Sequence, residues 1–124
     1  MSRLRLILLA HGSRDADWRK SFEVFRDDLA RELDKDSVDL AYLELAPPTL
    51  EEAVTKAAGE GIEQIRVLPL FMAMGKHLDR DLPKQIQKIA AGFPKVKIEL
   101  LPAIASDSTV YNAMKAAARK AASG

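Results

Sequence analysis

The stretch Leu4-Arg5-Leu6-Ile7-Leu8-Leu9-Ala10-His11-Gly12-Ser13-Arg14 decides the fold. From Leu4 to Ala10 only Arg5 interrupts an apolar run too short to span a bilayer. It runs directly into His-Gly-Ser-Arg without the small-residue cleavage pattern of a signal peptide. A short apolar run stopped by glycine reads as a parallel strand covered on both faces, the first of the chain. Working outward, Trp18, Phe22, Phe25, Leu29 and Leu33 recur at helical spacing, which predicts an amphipathic helix from Asp17 to about Leu33.

The same alternation repeats along the chain. Ser37 to Leu45 reads as a second strand that Pro47-Pro48 forbids from continuing. Thr49-x-x-Glu52 is a capping box that opens a second helix, stopped by Gly59 and Gly61. Ile62 to Phe71 is a strongly apolar third strand, and Met72 to Leu78 is expected as a loop containing Gly75. Asp79 or Asp81 then opens a third helix with a Leu82, Ile86, Ile89 stripe that ends near Gly92 and Pro94. Val96 to Leu101 completes the strands, and Ser106 to about Ala122 is an alanine-rich last helix whose Lys115, Arg119 and Lys120 suit its negative end.

Strict strand–helix alternation demands an α/β fold: a three-layer sandwich around a four-stranded parallel sheet with right-handed crossovers. The strand order 2-1-3-4 is the working assumption. At 124 residues the chain fits one domain, residues 1–124. Hydrophobic residues at 48% and charged residues at 30% are ordinary globular usage, so no membrane association is expected. Nineteen Lys and Arg against eighteen Asp and Glu leave a formal charge of +1, which argues against nucleic acid as a partner. The absence of cysteine removes disulfides, thiolate metal sites and Fe–S ligation, and fits a cytoplasmic location.

Open α/β sheets bind ligands beyond the carboxyl ends of their strands, where the strand order reverses. For the order 2-1-3-4 that crevice lies between the first and third strands, and the chain's two histidines, His11 and His77, follow those two strands. Glu44 stands near the end of the second strand among apolar residues, where an uncompensated carboxylate is costly. Either it is a third metal ligand, since imidazole and carboxylate suit Zn, Fe, Co and Ni, or it points outward from an edge strand; alternation leaves both open. Gly12-Ser13-Arg14 forms either an anion-binding turn before a helix N-terminus or simple turn-and-cap chemistry, with Gly12 at positive φ. Leu70-Phe71-Met72-Ala73-Met74 extends apolar character into a loop, so a flat ligand, a second subunit or a helix must cover it. Lys76 and Arg80 flank His77 and are placed to meet acidic groups.

These segments together resemble the short sirohydrochlorin chelatases, the small CbiX group of the class II chelatase superfamily. Leu8 to Arg14 is similar to that family's opening strand and histidine turn, and Tyr42 to Leu50 to its second-strand segment with a Glu and a following Pro. Pro69 to Pro83 is similar to its Pro-Leu-Phe-Leu, Gly-x-His and Asp-Ile-Pro pattern. The likeness runs from residue 4 to about 102, and Ala103 to Tyr111 departs from the expected glycine-containing form. It implies insertion of a divalent metal, Co²⁺ before Fe²⁺ or Ni²⁺, into sirohydrochlorin for cobalamin or sirohaem, with the metal as substrate and no permanently bound cofactor.

Under the resemblance, His11 and His77 would be catalytic and metal-holding, with Glu44 as a supplementary ligand. The substrate would meet Ser13, Arg14, Phe71, Met72, Met74, Gly75, Lys76 and Arg80. One imidazole would hold the metal while the other accepts a pyrrole proton. Both tasks need neutral imidazole, so activity is expected to fall with pH in the histidine range. Longer relatives contain two such halves around one cleft, so a single half implies a homodimer. Two other readings compete. A histidine phosphatase would place Arg before the histidine, where this chain has Ala10, and a non-catalytic tetrapyrrole or metal carrier would use the same pocket.

Overall fold

The computed structural model describes residues 3–34 and 36–124. Four strand–helix units follow in chain order: β1 Leu4–Ala10, α1 Ala16–Glu32, β2 Val38–Tyr42, α2 Leu50–Gly59, β3 Gln64–Pro69, α3 Lys76–Ala91, β4 Lys97–Leu100 and α4 Ser108–Ala122. A 3-10 turn at Ile104–Ser106 precedes α4. The sheet is parallel throughout in the order β2-β1-β3-β4, as assumed from the sequence. β1 is central, with Leu8 opposite Leu40 on one side and Leu68 on the other.

Strand alternation sorts the apolar residues onto two unequal faces. Ile7, Leu9, Ala41, Ile65, Val67 and Phe71 point toward α2 and α3, where Leu50, Val54, Leu82, Ile86 and Ile89 close the main core. The opposite face holds a smaller cluster in which only Leu8, Ala30 and Val38 are fully buried, with Leu6, Leu29, Leu40, Leu68 and Leu70 half-buried around them. The Thr49 capping box forms as read. Its hydroxyl accepts from the Glu52 N–H at 3.1 Å, and Glu52 accepts from the Thr49 N–H at 2.9 Å.

Several boundaries move, each for a local reason. β2 stops at Tyr42 rather than Leu45, because the chain leaves the sheet through Leu45 at φ 69, a conformation no strand adopts. α3 begins at Lys76, not at Asp79 or Asp81, since Gly75 in extended conformation serves as the N-cap and the next residues are all helix-compatible. His77 is therefore in the first turn of a helix and not in a loop. α4 starts at Ser108, capped by Asp107, whose carboxylate accepts from the Thr109 N–H.

The α1 stripe is only partly used. α1 lies along β2, Ala30 is its one fully buried residue among those described, and Phe25 and Leu33 remain 46% and 58% exposed. α4 buries none of its residues. Among the described residues no helix is long and apolar enough to cross a membrane.

Arg5, the interruption in the opening strand, is 2% exposed and ion-pairs with Asp39 at 2.6 Å and Glu60 at 2.7 Å. Burial works against its charge, but Glu60 and Asp39 outweigh burial and raise its pKa above the ordinary value. The charge is thus accommodated rather than avoided, and breaking it one-sidedly leaves the largely buried Asp39 with only the exposed Lys56 at 3.4 Å. Arg5→Ala is expected to lower stability by about 3 kcal/mol, whereas the double variant Arg5→Met, Asp39→Leu, which removes both charges and fills the volume, costs about 1 kcal/mol or less. Urea unfolding of the two variants measures this, and equal losses would contradict it.

Candidate active site

β1 delivers His11 and β3 delivers Phe71 to neighbouring positions at the carboxyl end of the sheet. Pairing continues one step past the strands, with the Leu70 N–H donating to the Leu9 carbonyl at 2.8 Å. Phe71 is buried at 2% exposure, and the exposed His11 ring stacks on it with centroids 4.1 Å apart and planes 27° from parallel. The apolar loop thus divides in its use. Phe71 is a shelf under His11, Met74 packs half-buried against the main core, and Met72 stands 75% exposed.

The segment after β2 lies alongside the His11 turn. The Leu43 N–H donates to the Ala10 carbonyl at 2.9 Å and the Glu44 N–H to the His11 carbonyl at 3.1 Å. These bonds force a close approach at Gly12, which has φ +106 and where a Cβ would fall 1.8 Å from the Glu44 carbonyl oxygen. Glycine is the one residue that fits. Glu44 itself is an exposed residue beyond the end of the strand, so the apolar neighbours in sequence do not bury it.

His77 is exposed in the first turn of α3, on the same end of the sheet as His11 because α3 starts where the chain leaves β3. No side chain caps this helix at Gly75, so first-turn backbone N–H groups face outward and favour anions. Lys76, Arg80 and Arg14 are exposed, and among the described residues none has a carboxylate partner within ion-pair distance. Ser13 performs turn chemistry. Its hydroxyl accepts from the Asp15 N–H at 3.0 Å, and its carbonyl accepts from Arg19 at 2.8 Å.

Among the described residues no three His, Cys, Asp or Glu side chains gather into a group able to hold a metal ion. His11, His77 and Glu44 share one end of the molecule without forming a three-ligand cage. A cavity of about 770 Å³ lies at the opposite end of the sheet, lined by Ile62, Phe93 and Val96. It contains neither histidine.

Sequence reasoning missed Tyr42. It closes β2 beside the Gly12 turn, is 2% exposed, and its ring faces Trp18, which in turn rests on Phe22. Its hydroxyl makes no hydrogen bond among the described residues. The only hint in sequence is a tyrosine at the end of an apolar strand, a weak one.

A parallel sheet in the order β2-β1-β3-β4, with His11 where the strand order reverses, places the chain in the doubly wound class. Within that class the CbiX family model matches residues 5–121, and the chain belongs to the CbiX family. A sirohydrochlorin cobaltochelatase from Sulfolobus acidocaldarius is 30% identical over 95% of this chain and 92% of its own length. Another from Methanopyrus kandleri is 38% identical, over 65% of this chain and 57% of its own length. The crystal structure of a cobalamin (vitamin B12) biosynthesis CbiX protein from Marinobacter aquaeolei VT8 superposes with a TM-score of 0.84 at 36% identity, covering 95% and 96% of the two chains. SirB from Bacillus subtilis with Fe³⁺ shares the fold with a TM-score of 0.80 at 23% identity, and this chain covers 48% of it.

Two substitutions test the local geometry. Gly12→Ala is expected to destabilise the fold by about 1–3 kcal/mol, because the Glu44 segment must move to admit a methyl group. Tyr42→Phe is expected to preserve or raise stability, by up to about 1 kcal/mol, since the buried hydroxyl has no partner to lose. Burial, reinforced by Glu23 and opposed by Arg19, raises the Tyr42 pKa. The unfolded chain therefore releases this proton first as pH climbs through about 10, and stability falls there. Unfolding titrations near neutrality and above that pH should show the alkaline loss shrink in Tyr42→Phe; an unchanged loss would refute it.

Proposed function

We propose that the chain is a sirohydrochlorin chelatase that inserts a divalent metal into the tetrapyrrole, with Co²⁺ as the metal. The observation that carries the reading is the His11 imidazole stacked on buried Phe71 where β1 and β3 adjoin, in a chain of the CbiX family. Relatives named cobaltochelatase match at 30–38% identity and favour cobalt over the iron of those named ferrochelatase.

Chelation requires the metal to exchange its own ligands for four pyrrole nitrogens while two N–H protons leave. Imidazole serves both needs. One of His11 and His77 holds the incoming ion, and the other accepts the two ring protons in turn and passes each on toward solvent. Phe71 fixes the His11 plane, so the nitrogen lone pair keeps one direction. Glu44 supplements the ligand set or takes the proton onward, from an exposed position tied to the His11 carbonyl through its own backbone.

The acetate and propionate rim of the substrate finds cations in Arg14, Lys76 and Arg80, which have no ion-pair partner among the described residues, and donors in the uncapped first turn of α3. Exposed Met72, with Met74 and Ser13, borders the macrocycle. A Cβ at Gly75 would meet nothing within 4 Å, and His77 two residues on is itself exposed. The metal is cargo and substrate, not a resident cofactor.

This chain covers 42% of the Bacillus subtilis sirohydrochlorin ferrochelatase and 48% of the SirB chain. Two copies of it match the length of one such protein, which supports a homodimer with the tetrapyrrole between lobes. A reducing cytoplasm suits a protein without cysteine.

Anaerobic mixing of the protein with sirohydrochlorin and Co²⁺, followed by absorption, tests the activity. Conversion of many equivalents per chain is expected, whereas a stoichiometric band shift that then stops would identify a carrier. His11→Ala and His77→Ala should each reduce turnover at least ~100-fold with unchanged far-UV circular dichroism. Full turnover in both variants would eliminate the assignment.

A further inference from the structure

The turn that carries His11 is held from two sides, one by backbone and the other by a side chain. After β2 the Leu43 and Glu44 N–H groups donate to the Ala10 and His11 carbonyls at 2.9 and 3.1 Å. Gly12 follows at φ +106, and with no side chain it is a flexible joint. Beyond it the chain has left the sheet. There the Arg19 guanidinium, reaching back from the start of α1, donates from Nη1 to the Ser13 carbonyl at 2.8 Å.

The choice of acceptor is informative. Arg19 lies one helical turn from both Asp15 and Glu23, the spacing at which side chains along a helix pair. It forms an ion pair with neither. The Asp15 carboxylate instead accepts from the Asp17 N–H as the cap of α1, and Glu23 is exposed. Half-buried Arg19 therefore gives up the rotamer freedom of a long side chain to hold a neutral carbonyl. The start of α1 does not call for this bond, because Asp15 already caps it and the Arg19 N–H already donates to the Asp15 carbonyl. What the guanidinium adds is a strut between α1 and the segment that follows His11.

We propose that Arg19 is a positioning residue for His11: its hydrogen bond to the Ser13 carbonyl closes the far side of the turn and keeps the imidazole lying on Phe71. This role rests on the chelatase reading and deepens it. A ring that must present one nitrogen to a metal or a pyrrole proton loses rate when its direction wanders. His11 is exposed, and Phe71 is its one stacking partner among the described residues, so the direction of the ring follows the backbone that carries it. Ser13 tightens the same turn from within, its hydroxyl accepting from the Asp15 N–H at 3.0 Å. That bond stops short of the helix, whereas Arg19 anchors the turn to α1 itself. Arg19 acts through the turn and does not touch the ligand.

Ring position can be read without substrate. Protons over the face of an aromatic ring resonate upfield, so stacking on Phe71 marks the His11 imidazole in nuclear magnetic resonance spectra. His77→Ala, which removes the other imidazole of the chain, assigns the signals. Arg19→Met keeps an apolar stem and deletes the donor, while Arg19→Lys keeps a donor. With native circular dichroism in both variants, Arg19→Met is expected to move the His11 signals toward their unfolded-chain position and to lower kcat with sirohydrochlorin and Co²⁺ about tenfold. Arg19→Lys should stay near the wild type in both measurements. A merely structural Arg19 would lower the urea midpoint and leave the ring signals in place, and unmoved His11 signals in Arg19→Met overturn the proposal. Full turnover in a variant whose His11 signals have moved overturns it as well. A wild type without turnover overturns the chelatase reading instead, and the ring signals then still decide whether Arg19 holds His11.

Discussion

Parallel pairing between β1 and β3 is the constraint on which the site depends. The two strands are far apart in sequence, and their register places Leu9 against Pro69 and, one bond further, the Leu9 carbonyl against the Leu70 N–H. That last bond fixes Phe71 under His11. A slip of one residue would send Phe71 to the opposite face of the sheet and leave His11 without its shelf. Alternation prevents the slip, because Ile65, Val67, Pro69 and Phe71 all face the α2–α3 core and their neighbours do not. Core packing and site geometry are thus the same fact viewed from two ends of a strand.

The two ends of the sheet handle charge differently. At the amino end, Arg5 is buried and tied to Asp39 and Glu60, so its charge is balanced inside the fold. At the carboxyl end, Arg14, Lys76 and Arg80 have no internal partner among the described residues, and the N-terminus of α3 is uncapped. These cations share that end with two exposed imidazoles and with the exposed carboxylates Glu44, Asp79 and Asp81. Under the proposed function, a polycarboxylate ring would meet these cations, with Met72 and Met74 at its border.

Much of this was legible from residues alone, for identifiable reasons. The Leu4–Ala10 run is so apolar on both parities that only a central strand accommodates it, and the Thr49 capping box reads directly as geometry. Helix starts were less legible where the cap is a backbone feature: Gly75 caps α3 without a side-chain bond, so the first acidic residues drew attention and His77 was expected in a loop. The α1 stripe promised a full core face, but burial depends on what lies opposite, and Phe25 stays 46% exposed. Phe71 was recognised as needing cover, while its stacking with His11 depends on strand register that periodicity does not encode. Arg5 and Tyr42 are buried polar groups whose partners, or lack of them, only tertiary structure reveals.

The central claim is that His11 and His77 face one ligand together, and because they are the chain's two histidines their ring signals are separable by nuclear magnetic resonance. Titration of the protein with cobalt-sirohydrochlorin, observed through the imidazole resonances, examines that claim directly. The account predicts that both rings shift or broaden in step and saturate at the same ligand ratio. Response of one ring alone, or of neither while the ligand demonstrably binds, would contradict it.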